Sequence, residues 1–406
     1  MVRLFYISPW PLDDPLSKAT VAPHLRSLAT NSMVSGLSVL SPIAKVVKEG
    51  HSFGGLPENL ACYPLPAPYG HLPVVSRALH HRNLKRVIGQ LGYEQRPDLV
   101  ICRGTTGVYG ELLQRHLGIP YVVESFEPHA HYMLQTGTWQ RWDPKFLVQR
   151  RWEERVKRTA SALITVSQGY ARHLQEQEGI SPDRLQTVPC WVDAERFRID
   201  PKARSSLRQQ LGIGDRLAVV YAGKFGGIYS PLRELAMLRP LQQGLGQPLF
   251  VIVLTSADAA AVRQQLRQAG FLEDQVFVDC VPHSEVNSYL NAADLALSFI
   301  NSGPWSFACS AIKHGEYWAC GLPVLMPPGV GDEAQWLEVE RAGAIAPFHN
   351  PQAVQAAAVR LTQILGVPGH RQRIRAIGLR ERSTEAMTST YRWLLTKIAL
   401  VSLRTF

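Results

Sequence analysis

The chain has 406 residues, 46% of them hydrophobic and 19% charged, which excludes a disordered chain and exceeds what one hydrophobic core ordinarily organises. Its formal net charge is +10, and half of that excess lies in residues 1–200; so even a spread reads as a solvated basic surface and argues against a nucleic-acid groove. Six cysteines stand singly, with no CxxC pair, and read as reduced thiols of a cytoplasmic protein rather than as disulfides or metal ligands.

The opening MVRLFYISPW is too short an apolar run for a signal peptide, no stretch reaches the length of a membrane span, and the segment reads as a first buried strand. Candidate strands follow in chain order at Val2–Ser8, Leu37–Leu40, Asp98–Cys102, Tyr121–Glu124 and Ala162–Val166, each a short run rich in β-branched or aromatic residues. Helical spacing falls between them, around 17–30, 74–91, 105–117, 144–159 and 168–178. Strands buried on both faces and alternating with helices predict a doubly wound parallel sheet. Lys18, Thr20 and Arg103 sit where a strand gives way to a helix and are candidates for an anionic or acceptor group. The loop VVESFEPHAHYM (122–133) gathers two glutamates and two histidines after a buried strand. There, His129 or His131 and Glu127 are candidates for catalysis, with Glu124 or Glu127 orienting a histidine or accepting a proton. In RWDPKFLVQRRWEERVKR (141–158) basic residues alternate with Trp142, Phe146, Leu147 and Trp152, a pattern suited to an anionic membrane surface as well as to an ordinary amphipathic helix.

The pattern breaks at Val188–Phe197 and restarts after a helix over 202–211. Strands are expected at Leu217–Tyr221, Leu249–Leu254, Val276–Val278, Leu295–Phe299 and Pro323–Met326, with helices at 231–243, 257–269, 283–292, 311–320 and 332–341. VVYAGKFGGIYS (219–230) is a strand entering a glycine-rich turn, whose backbone N–H groups can approach a pyrophosphate closely. In SAIKHGEYWACGLPVLMPPGVGD (310–332), Lys313–Cys320 forms a helix stopped by Gly321, and it presents Lys313, Glu316 and Tyr317. Helical patterns at 352–365 and 384–400 close the chain. Three segments result: 1–195, a Rossmann-like domain; 196–380, a second Rossmann-like domain that binds nucleotide; and 381–406, a helix that analogy with other two-domain folds of this kind returns to the first. The fold class is therefore α/β, two Rossmann-like domains facing across a cleft.

Glu316-Tyr317-Trp318-Ala319-Cys320-Gly321-Leu322-Pro323-Val324, with Lys313 three residues before the glutamate, resembles the motif helix of the retaining GT-B glycosyltransferases of family 4. The resemblance implies that Glu316 hydrogen-bonds the ribose of a sugar nucleotide, that Gly223 and Lys224 meet its diphosphate with help from Ser230 and Lys313, and that the turn beginning Cys280-Val281 recognises the base through its backbone. It also places a histidine of the 122–133 loop near the donor sugar. The family's first glutamate falls at Ala308, and no second basic residue follows Lys224 where one is usual. The implied activity is transfer of a sugar from a nucleotide-diphosphate sugar to a hydroxyl of a glycan or lipid-linked acceptor, with retention, without metal or other cofactor, at the inner membrane face. An epimerase acting on sugar nucleotides, and a binding protein that has lost turnover, are the alternatives the same pattern admits.

Overall fold

The computed structural model describes residues 1–12, 14–42, 60–65, 96–229 and 232–403; the helix expected over 74–91 and Ser230 lie outside the described residues. The chain divides into two compact units, Met1–Leu134, Trp139–Val188 and Thr384–Phe406 in one, Gln135–Thr138 and Pro189–Ser383 in the other.

The first unit contains a sheet of β1 (Val2–Ile7), β2 (Val34–Ser41), β3 (Ala61–Pro64), β4 (Leu99–Arg103), β5 (Tyr121–Phe126), β6 (Ala162–Thr165) and β7 (Leu185–Thr187). Their order is β3-β2-β1-β4-β5-β6-β7, and every pair is parallel. All five residues of β4 are buried, because helices cover both faces of such a sheet and leave no side for polar alternation. The helix Thr384–Leu403 belongs to this unit and sinks Met387, Tyr391, Leu394 and Leu395 into its core. Their spacing of four, three and one puts them on a single helical face.

The second unit repeats the plan with β8 (Leu217–Ala222), β9 (Leu249–Leu254), β10 (Val276–Asp279), β11 (Leu295–Leu297), β12 (Val324–Met326) and β13 (Gly343–Ile345). Their order is β10-β9-β8-β11-β12-β13, again all parallel. Asp294 pins the start of β11: its Oδ2 accepts from Ala218 N at 2.8 Å, and its carboxylate pairs with Arg204 at 2.6 Å and Arg208 at 3.1 Å. Two Rossmann-like α/β units are thus present, as the alternation of elements predicts.

Several local expectations need correcting. The helical stretch over 17–30 is two pieces, Pro15–Thr20 and Ala22–Ala29, because Pro23 opens the second and has no N–H to continue the first. The stretch over 231–243 starts as a 3-10 turn at Leu232–Met237 and becomes α-helical at Leu238–Leu245, with Pro240 in the first turn of the helix, where no N–H is needed. No α-helix forms over 332–341: Glu333 is drawn inward to Arg382 and His314, only a 3-10 turn remains at Glu333–Gln335, and Arg341 sits at φ 53°.

Candidate functional site

Ligands of open parallel α/β sheets bind beyond the carboxyl ends of the strands where the strand order reverses. In the six-stranded sheet the reversal lies between β8 and β11. The loops leaving these two strands are clasped together. Tyr229 and Ile300 form an antiparallel bridge, Asn301 N donates to Ile228 O at 2.9 Å, and Asn301 Nδ2 donates to Tyr229 O at 3.1 Å. The glycine-rich turn is therefore held in place, with Gly223, Gly226 and Gly227 at φ 147°, 82° and 65°.

Helix Ile312–Ala319 runs from the same end and is buried along most of its length. It stops in a Schellman arrangement, in which Gly321 N donates to Trp318 O at 2.8 Å and Leu322 N to Tyr317 O at 2.9 Å, with Gly321 at φ 74°. Tyr317 hydroxyl fixes the helix to β8, accepting from Ala222 N at 2.8 Å and donating to Ala222 O at 3.3 Å. Lys313 Nζ lies 4.4 Å from the ring centre of Tyr221 and 4.3 Å from that of Tyr229, and donates to Tyr221 hydroxyl at 3.4 Å. It packs so close to Gly223 that a Cβ built on that glycine would stand 2.5 Å from Nζ. Gly223, at φ 147°, lets the amine come up against the backbone, and a side chain there would be strained by that φ and would push Nζ aside. Burial pushes the Lys313 ammonium down from 10.5 to about 7, against the opposing pull of Glu316 and Cys309.

Glu316 is buried, and its Oε1 accepts from His283 Nε2 at 3.1 Å. His283 lies in the turn after β10, Arg196 Nη1 donates to its Nδ1 at 3.1 Å, and the ring meets Phe197 edge-on with centres 5.4 Å apart. Of the residues predicted for nucleotide binding, the structure brings together Gly223, Lys313, Glu316 and Tyr317. Lys224 is exposed on the turn, with its carbonyl accepting from Tyr221 hydroxyl. Cys280 and Val281 follow β10 in the turn that carries His283, and Ala308 is buried in a 3-10 turn. His283 closes the turn Cys280–His283, for which the sequence implied only backbone recognition, and the side-chain contacts of Arg196, Tyr221, Tyr229 and His283 with Lys313 and Glu316 are tertiary and left no mark in the sequence.

The first unit has its own reversal, between β1 and β4. Here Glu124 is buried with one oxygen accepting from Tyr6 hydroxyl and from Arg103 at 2.7 Å, and the other from Tyr391 hydroxyl. His24 Nδ1 lies 2.6 Å from that hydroxyl. Burial opposes ionisation of Glu124, but His24, Arg103 and Tyr391 outweigh it and hold the carboxyl well below its ordinary range. Arg103 is thus ion-paired inside the unit, Thr20 is buried and Lys18 is exposed. Glu127 follows β5 and is half-buried; burial pushes its carboxyl up to about 7, with Arg103 opposing. His129 opens the helix His129–Gln135 and meets Trp139 edge-on, while His131 meets Phe146 in the same way and is pushed down mainly by burial.

A family model described as a glycosyl transferase 4-like domain matches residues 51–191. The chain is 27% identical over 258 residues to D-inositol 3-phosphate glycosyltransferase 2 of Catenulispora acidiphila, a match covering 61% of this chain and 58% of that protein. A shorter match, 27% over 143 residues, covers 35% of this chain and 37% of the GDP-mannose-dependent alpha-(1-6)-phosphatidylinositol monomannoside mannosyltransferase of Mycolicibacterium smegmatis. The chain therefore spans little more than half the length of the first of these relatives. Among solved structures, Anabaena HepE in complex with UDP-glucose superimposes with a TM-score of 0.68 at 15% identity, covering 98% of this chain and 100% of that one. Over residues 51–191 the chain thus resembles glycosyl transferase 4-like domains, and its fold is that of the glycosyltransferase structures on which it superimposes.

Proposed function

We propose that the protein transfers a glycosyl group from a nucleotide-diphosphate sugar to a hydroxyl acceptor. One observation carries the reading: a helix at the strand-order reversal of the second unit sets a buried carboxylate, Glu316, and a buried amine, Lys313, one turn apart beside a clasped glycine-rich turn. A carboxylate suits a ribose diol, and an amine beside backbone N–H groups suits a diphosphate. Departure of that diphosphate would be eased by Lys313, Lys224 and the turn's amides, with no metal required and with retention at the anomeric carbon. His129 or His131 and Glu127 would act on the sugar or the acceptor hydroxyl, Glu127 being suited to proton transfer near neutrality.

The acceptor is proposed to be a glycan or a lipid-linked precursor presented at a membrane surface. Residues 141–158 hold seven Lys or Arg against three Asp or Glu. Trp142 is 77% exposed and Leu147 46%, and along the helix Pro144–Thr159 the side chains of Leu147, Val148, Arg150, Arg151, Glu154, Arg155 and Arg158 line one open surface. Apolar side chains beside guanidinium groups fit an anionic lipid interface. No helix among the described residues is long and apolar enough to cross a membrane.

The test is calorimetric titration with UDP, GDP, ADP, dTDP and CMP, repeated on Glu316→Ala and Lys224→Ala. One diphosphate should bind and both substitutions should weaken it at least tenfold; no binding by any of the five would overturn the reading.

A further inference from the structure

Arginine only donates hydrogen bonds, and an ionised carboxylate only accepts them. With Arg196 Nη1 at 3.1 Å from His283 Nδ1, that nitrogen must be the acceptor, so the ring proton sits on Nε2. Nε2 in turn stands 3.1 Å from Glu316 Oε1 and donates to it. The two contacts agree on a single neutral tautomer. Three segments far apart in the chain supply the row: the connector before the helix Pro201–Gln210, the turn after β10, and the helix Ile312–Ala319. Phe197, packed edge-on against the imidazole, limits its rotation. Glu316 Oε2, by contrast, has no hydrogen-bond partner among the described residues.

We infer that His283, its tautomer set by Arg196, is a positioning residue that holds the Glu316 carboxylate so that Oε2 alone is left to accept a ribose hydroxyl of the bound nucleotide. The inference rests on the reading that Glu316 takes the ribose. A glutamate without this restraint would have to give up side-chain freedom on binding; one already held by a donor does not. The arrangement also sets a geometric demand. With Oε1 occupied by the imidazole, the carboxylate offers one strong acceptor rather than a symmetrical pair, so a nucleotide lacking its ribose hydroxyls should lose all benefit from His283.

The experiment measures the affinity of UDP and GDP, and of their 2′,3′-dideoxy counterparts, for the wild type, His283→Ala and His283→Gln, with the full chain in each case. Loss of one hydrogen bond to a charged group should weaken the binding ribonucleotide about fivefold to tenfold in His283→Ala. His283→Gln, whose amide NH₂ can reach the same oxygen, should return to within about twofold of wild type. The dideoxy compound should bind wild type and His283→Ala alike. An equal weakening of ribo and dideoxy compounds, or an undiminished ribonucleotide affinity in His283→Ala, overturns the inference while leaving the donor site intact. Absence of any nucleotide binding to wild type overturns the donor-site reading instead. A ligand-independent arm records ¹⁵N signals of the histidine side chains, with His283 assigned from its loss in His283→Gln. A protonated Nε2 that becomes mixed in Arg196→Ala is expected, and a protonated Nδ1 in the wild type refutes the row of bonds outright.

Discussion

Replacing Lys313 with methionine should stabilise the protein at neutral pH, and the size of the gain follows from where its amine is buried. In the unfolded chain the ammonium titrates near 10.5; in the folded unit burial lowers this to about 7. Above 10.5 neither state is charged and burial of the amine costs nothing electrostatically. As pH falls from 10.5 towards 7 the unfolded state takes up the proton and the folded state does not. The folded state then loses about 1.4 kcal/mol per pH unit, roughly 5 kcal/mol in all. Against this, Lys313→Met gives up the bond to Tyr221 hydroxyl and the neutral amine's packing on the Tyr221 and Tyr229 rings, together about 2–3 kcal/mol. A net gain of about 2 kcal/mol at pH 7, vanishing or reversing at pH 10, should appear in urea unfolding curves of the two proteins. A variant less stable than wild type at pH 7, or a difference that does not move with pH, would refute the reasoning. The same lysine makes ligand binding proton-linked: UDP or GDP titrated at pH 7 in buffers of different ionisation enthalpy should show uptake of about half a proton per site, absent in Lys313→Met.

Gly321→Ala should cost about 2 kcal/mol or more, because φ there is 74° and the new Cβ would meet Arg371 O at 2.6 Å; thermal unfolding would read it as a lowered midpoint. Tyr391→Phe removes a hydroxyl donated to a buried carboxylate and should destabilise the first unit by about 1.5–3 kcal/mol in the same assay. Because the Glu124 carboxyl titrates lower in the folded unit than in the unfolded chain, its stabilising contribution is complete above about 4.5 and is lost as pH falls below that, so Glu124→Gln should flatten the acid limb of the stability profile. Substituting Arg150, Arg151, Arg155 and Arg158 by glutamate should abolish co-sedimentation with phosphatidylglycerol vesicles at low salt, whereas neutral vesicles should bind neither form.

What could be read from the sequence tracks how local the physics is. β8 and β9 are long and wholly apolar, and the helix Ile312–Ala319 is framed by a capping glycine, so periodicity and turn chemistry sufficed for these. β7 is three residues with Gln186 and Thr187 half-buried, and β13 opens on Gly343, whose missing side chain lets the Val324 backbone approach. Neither carries the hydrophobic run that marks a strand; partners in the sheet make them strands. The same limit applies to the site. Lys313, Glu316 and Tyr317 share a helix and could be found by spacing, while His283 is 33 positions from Glu316 and Tyr221 is 92 from Lys313. The helix expected over 332–341 failed for a related reason: a buried arginine, Arg382, competes for Glu333 and wins.

The placement of Thr384–Leu403 in the core of the first unit has a consequence for how the protein is made. The chain is synthesised from its amino end, so the first unit's strands leave the ribosome long before the helix that shares a core with Leu25, Leu28 and Ile101 does. During that interval the second unit, contiguous from Pro189 to Ser383 apart from Gln135–Thr138, can fold, while the first waits with an open apolar face and with Glu124 lacking Tyr391. The nascent first unit is therefore the stage at which chaperones would be needed.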